Sequence, residues 1–272
     1  MDSEMLSKIF SVISTSIKII ILIILFGFLY NQIFLVLPKE QQRAIHNFCR
    51  NFDIFQFDSS SGKVFKGKAC DYDSQVITSS CQNAVILDGT IGFEMYEDLK
   101  SAIENKQMPN QLICLRSPGG VIEGAEKIAE LIRSQQINTC LSDYVEYDAV
   151  YEKSSKSFKP ITKQSHNAID CTSACPFILI AGKNRTALGD NFTVKLHHPG
   201  TATFTCAGTI YSNADLSKKN GLLNMVKLSP AHEFEQHQML YQRAVQTNFR
   251  KFDNVCHCDF EKYRLFTAKP SQ

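Results

Sequence analysis

The chain has 272 residues, of which 44% are hydrophobic and 21% charged, a balance that excludes a disordered chain and suffices for one good-sized core or two small ones. Its 29 basic and 27 acidic residues leave a net charge of +2, so no global field draws it to nucleic acid or to an acidic surface. Ten cysteines are many for a reducing cytosol; an even count fits an oxidising compartment where disulfides persist.

After a short N-terminal tail, residues 1–16, the stretch "IKIIILIILFGFLYNQIFLVL" runs for 21 residues, 17–37, with only Lys18, Asn31 and Gln32 as polar interruptions. At 1.5 Å per residue it is long enough to span a hydrocarbon core of roughly 30 Å. A cleaved signal peptide is the rival, but its apolar region is shorter and ends in small residues, whereas "PKEQQR" follows here. The expectation is therefore a single-pass membrane anchor contacting lipid through residues 17–37. Lysines and arginines flank it on both sides, so the charge rule barely orients it, and the cysteines place the body outside the cytoplasm, in the periplasm if the source is bacterial.

Residues 38–82 are polar and Ser-rich without a sustained period, which predicts a stalk or irregular extension. From residue 83 the texture changes. "AVILD" reads as a buried strand, "GFEMYEDLKSAIENK" as a helix with Phe93, Tyr96, Leu99 and Ile103 on one face, and "QLICL" as a second strand. "VIEGAEKIAELIRSQ" then gives a second amphipathic helix and "INTCLS" a third strand, an alternation that predicts an α/β domain over 83–272 with a parallel sheet. Residues 142–170 break the texture and are expected to be an inserted loop, a lid or a binding loop. "PFILIAG" follows as a buried helix, "TALGD" as a short strand and "FTVKLHHPG" as an alternating strand. A last helix, "PAHEFEQHQMLYQRAVQTNFRKF", has Ser229 as its candidate cap.

Three places carry chemistry. "SPGG", residues 117–120, joins a strand to a helix, where free N–H groups and the positive helix end suit a developing oxyanion; a tight turn with no task is the bland alternative. In "CTSAC", Ser173 precedes an apolar helix and either caps it or acts as a nucleophile, with the N–H of Ala174 available to the oxyanion. In "VKLHHP", His197 ends a strand from which an imidazole can reach a neighbouring strand-to-helix junction as a general base. Asn184 and Asn191 open glycosylation sequons, taken as chance occurrences. Cys171 and Cys175 are four apart, a spacing open to disulfides, to free buried thiols or to zinc; disulfides to Cys140, Cys206, Cys256 or Cys258 are preferred, and zinc is least favoured because no second matching pair exists.

In this order, SPGG, a serine at a helix start and a His–x–Pro segment resemble the Clp-type serine proteases and their crotonase-like-fold relatives, above all the periplasmic ClpP-like members whose serine lies in a CxSAC element followed by AG..R. Here "CTSAC", "AGKNR" and "VKLHHP" match, with Ser173 and His197 24 residues apart (197 − 173). The resemblance covers residues 83–200. It implies a ClpP/crotonase-like spiral of ββα units, a peptide or protein substrate, Ser173 as nucleophile, His197 as base and the N–H groups of Gly120 and Ala174 as oxyanion hole. It implies no cofactor and no metal, and leaves a homo-oligomer open.

Two departures stand out. The interval from Gly120 to Ser173, 53 residues (173 − 120), is longer than usual in that family and is assigned to the 142–170 loop. The family's acidic third member has no match among Glu233, Glu235, Asp253 and Asp259, so a dyad remains open, as does a Ser–Lys arrangement using Lys195. An inactive ClpP-like interaction module and an acyl-CoA-binding crotonase-like protein are the alternative functions.

Overall fold

The computed structural model describes residues 62–267 apart from 74–75, 78–80, 109–110, 168–169, 206–207, 214–215 and 248–250. The apolar segment 17–37 lies outside these residues, and among those described no helix is long and apolar enough to cross a membrane.

The chain divides into two compact units. One comprises residues 59–201 and 212–272; the other comprises residues 1–58 and 202–211, of which the described part belongs to the two-stranded hairpin β12 (Gly200–Thr205) and β13 (Gly208–Asn213).

The larger unit is mixed α/β. Its parallel sheet is made by β4 (Gln82–Asp88), β5 (Leu112–Arg116), β6 (Asn138–Ser142) and β10 (Arg185–Leu188). Buried on both faces, β4 and β5 read as near-continuous apolar runs, as parallel strands under helices must. The crossovers are α1 (Phe93–Glu104) and α2 (Ile122–Ser134), each laying one apolar stripe on the core: Met95, Leu99 and Ala102 from α1, and Ile122, Ala125, Ile128, Ala129 and Ile132 from α2.

Two sequence expectations are corrected here. The 38–82 extension is not irregular throughout: β2 (Tyr72–Asp73) pairs with β3 (Val76–Ile77), and β1 (Lys63–Cys70) pairs antiparallel with β4 as an inner strand of a seven-stranded sheet that runs β10-β6-β5-β4-β1 and on into two further strands. The 142–170 segment is not an unstructured lid. It forms β7 (Tyr144–Glu152) and β8 (Ser157–Asn167), a long hairpin that continues the sheet from β1. Alternation explains it, because Val145, Tyr147, Ala149 and Tyr151 are buried while the residues between them are more exposed. Tyr147 stacks on Phe65 at 4.3 Å and donates its hydroxyl to Asp88, which also accepts from Arg116, so the hairpin is locked to β1, β4 and β5.

The second half of the unit holds a three-stranded sheet of order β14-β11-β9, built from β9 (Asp170–Thr172), β11 (Thr193–Leu196) and β14 (Asp253–Val255). Helix α3 (Cys175–Leu179) follows β9 and is buried along its whole length. Helices α4 (Leu216–Lys227) and α5 (Phe234–Gln246) complete the unit. Ser229 does not cap α5 as expected; its hydroxyl hydrogen-bonds Nδ1 of the buried His237.

Candidate active site

Strand β9 ends at Thr172 and α3 begins at Cys175, so Ser173 and Ala174 make the whole turn between them. Ser173 sits there with φ 63°, in the left-handed region. For a non-glycine residue that conformation costs about 1–2 kcal/mol, and such outliers persist only where the surroundings impose them. Three contacts do so. Thr172 donates its N–H to Ser117 O at 2.9 Å, Ser173 donates its own to Lys195 O at 2.9 Å, and Cys171 is joined by a disulfide to Cys175 across the turn.

The SPGG turn meets this serine directly. Gly119 has φ 97°, and a Cβ placed on it would lie 2.4 Å from Ser173 Cβ and 3.0 Å from its Oγ, so the glycine backbone is packed against the serine side chain. Gly120 is bridged to Ile91: Ile91 donates to Gly119 O and Val121 donates to Ile91 O. In a parallel bridge of this kind the flanking groups do the bonding, so the N–H of Gly120 points away from Ile91. Among the described residues neither that N–H nor the N–H of Ala174 donates to a protein acceptor. A side chain on Gly120 would meet the Ile91 carbonyl at 2.1 Å. Gly119→Ala is therefore expected to displace Ser173 and to destabilise the fold measurably in chemical denaturation.

Strands β9 and β11 run parallel with Thr172 opposite Lys195, so Ser173 and His197 leave the same ends of neighbouring strands, about 5 Å apart in the sheet direction. His197 and His198 lie past the end of β11, each ring turned onto the next carbonyl, with His197 Nδ1 donating to His198 O at 2.7 Å. A carbonyl only accepts, so Nδ1 carries the proton and the neutral ring has a bare Nε2. Burial pushes the His197 pKa below 6.5, opposed in part by that hydrogen bond. Phe252, 60% exposed, meets the ring edge-on at 5.1 Å.

The charged candidates are engaged elsewhere. Lys195 Nζ binds Asp170 at 2.7 Å, and although burial disfavours the Asp170 carboxylate, hydrogen bonds from Lys195 and Thr193 outweigh it and lower its pKa. Glu233 pairs with Arg185 at 2.8 Å, Asp253 and Asp259 both grip Arg243, and Glu235 is exposed in the first turn of α5. His197 thus faces a backbone carbonyl where an acid was sought. Asp170 and Phe252 were not singled out from sequence, whereas Gly119 lies in the SPGG turn that was.

The expected cysteine partners are also corrected. Cys171 pairs with Cys175 itself, Cys140 with Cys114, Cys256 with Cys258, and Cys70 with Cys81, while Cys49 and Cys206 lie outside the described residues. A local ring across the serine turn stands where long-range struts were expected.

No known protein family matches the chain, and no curated protein does. Solved structures do. The membrane-bound stomatin-specific protease 1510-N is similar as a serine-to-alanine variant, with 14% identity, TM-score 0.40, 67% of this chain and 75% of that one covered. Its lysine-to-alanine variant in complex with a substrate peptide gives the same identity and score over 67% and 71%.

Proposed function

We propose that the chain is a ClpP-like serine hydrolase, a peptidase working through an acyl-enzyme intermediate on a crotonase-like spiral. The observation that carries this reading is the left-handed Ser173, pressed against Gly119 and flanked by the unbonded N–H groups of Gly120 and Ala174. In this reading Ser173 Oγ attacks the substrate carbonyl while His197 Nε2 takes its proton. The two N–H groups stabilise the tetrahedral oxyanion, and His197 returns the proton to the leaving amine before water releases the acyl group. The His198 carbonyl does what a carboxylate does elsewhere for orientation and tautomer, making the pair a dyad held by backbone. Residues 17–37 are read as a single-pass anchor with the domain outside the cytoplasm, supported by their apolar length and by four disulfides among the described residues.

The test is labelling by a fluorophosphonate probe under oxidising conditions. Wild type is expected to gain one adduct on Ser173 and Ser173→Ala none; unlabelled wild type, or equal labelling of both, removes the reading. The pH dependence follows from His197. Because burial depresses its pKa, the neutral base persists to lower pH than a free imidazole, so the acid limb of the labelling rate is expected below pH 6.5.

A further inference from the structure

We propose that the Cys171–Cys175 disulfide is the positioning element that keeps Ser173 in its left-handed turn, so that the nucleophile is competent only while the bridge is oxidised; this rests on Ser173 being the nucleophile. The bridge is centred on the serine, two residues before it and two after, and holds Cα atoms four residues apart at 5.2 Å. An extended chain of that length would separate them by about 13 Å. The ring therefore imposes a reversal on Thr172, Ser173 and Ala174.

Both cysteines are themselves fixed, which makes the ring a rigid frame. Cys171 pairs with Val194 in the ladder and with Ser117 across the isolated bridge, Cys175 opens α3, and both are fully buried. Of the other ties, the N–H groups of Thr172 and Ser173 hold the strand side of the turn, Gly119 packs on the Ser173 side chain, and the Ala174 carbonyl accepts from Phe177 and Ile178 on the helix side. The N–H of Ala174, one of the two assigned to the oxyanion, donates to no protein acceptor among the described residues, so what joins the strand side of the turn to its helix side is the covalent bridge. Among the described residues the non-glycine positions with positive φ are Lys106, Gln111, Gln136, Lys156, Ser173 and Arg264, and of these Ser173 alone lies inside a five-residue covalent ring.

Reduction balances simply. A dithiol reductant attacks one sulfur, forms a mixed disulfide and resolves it with its second thiol, passing two electrons and two protons to the protein; the reductant leaves as a disulfide and Cys171 and Cys175 as thiols. Freed of the ring, Ser173 relaxes toward right-handed backbone and its hydroxyl leaves the line between His197 and the oxyanion donors. The protein would then be silent in reducing surroundings and become competent where disulfides form.

The experiment uses the full chain in detergent, with fluorophosphonate labelling resolved into binding and bond-forming steps. Cys171→Ala/Cys175→Ala is expected to lower the bond-forming rate about 10²-fold with little change in probe affinity. Cys114→Ala/Cys140→Ala, which removes a buried bridge between β5 and β6, should keep the wild-type rate per folded molecule. As a readout independent of activity and of variant folding, wild type reduced in place with dithiothreitol should show faster amide exchange at residues 172–175, reversed on reoxidation. A rate within threefold of wild type in the Cys171/Cys175 variant, or unchanged exchange on reduction, overturns the inference and leaves the hydrolase reading standing. Failure of oxidised wild type to label at all overturns both.

Discussion

His197→Ala is expected to slow fluorophosphonate labelling of Ser173 by about 10³-fold or more while leaving the denaturation midpoint nearly unchanged. The asymmetry comes from where the ring lies. His197 is half-buried beyond the end of β11, hydrogen-bonded to the next residue's carbonyl and touching the exposed Phe252, so its removal opens no core cavity. In the proposed reading its contribution is to the proton. His197→Gln separates the roles further: the amide can keep the contact with the His198 carbonyl but accepts no proton, and should be as slow as alanine. A labelling rate within tenfold of wild type in either variant would give the base to another group.

Arg185→Ala is expected to be the most damaging single change to stability, costing about 3–5 kcal/mol in urea or guanidinium unfolding. The guanidinium is fully buried. It pairs with Glu233 at 2.8 Å and donates to the carbonyls of Gly182, Arg264 and Leu265, so one side chain ties the end of the α3 segment, the start of α5 and the C-terminal stretch together. Its loss leaves the Glu233 carboxylate, 3% exposed, with only the longer contacts to His232 at 3.8 Å and Arg264 at 4.0 Å, and takes the guanidinium donor from the carbonyls of Gly182, Leu265 and Arg264, of which the last keeps a 3.3 Å contact to His237 Nε2. Arg185→Met/Glu233→Met, which removes both charges and keeps the volume, should cost far less than the single change; equal cost would mean that packing rather than charge is what Arg185 supplies. The same cluster makes the fold acid-sensitive. Burial pushes the His237 pKa down to about 4, so between about 6.5 and 4 the unfolded chain binds a proton that the native one refuses, and stability should fall as pH drops through that window. His237→Gln should flatten that slope.

The β4-α1-β5-α2-β6 core was legible because its strands are apolar runs and α2 carries one clean stripe; in α1 the buried residues are Met95, Leu99 and Ala102, so of the expected face Phe93, Tyr96, Leu99 and Ile103 only Leu99 is fully buried. The pieces of the candidate site stood out too, because a doubled glycine, a serine between cysteines and a strand-end histidine are unusual in combination. What escaped has physical reasons. In "YVEYDAVYE" the buried alternate positions are largely tyrosine and alanine, so the period of two is carried by residues that a hydropathy scale scores as weak, and the hairpin passed for a loop. In "KVFKGKAC" three lysines dilute the same alternation. The Cys171–Cys175 pairing escaped because it depends on the left-handed reversal at Ser173, a backbone event that neither cysteine announces. No acidic partner could be read from the sequence because what His197 Nδ1 meets is a main-chain carbonyl, which every residue has.

The position of β1 in the sheet bears on mechanics. Whatever pulls on this domain through its N-terminal segment pulls first on a strand hydrogen-bonded along both edges, to β4 on one side and β7 on the other. Force along such a strand loads both ladders in shear, all rungs at once, rather than peeling them singly from an outer edge. A chain cut at residue 83 would lack that strand and expose two unpaired edges in the middle of its sheet, whereas one that begins before residue 62 would retain it.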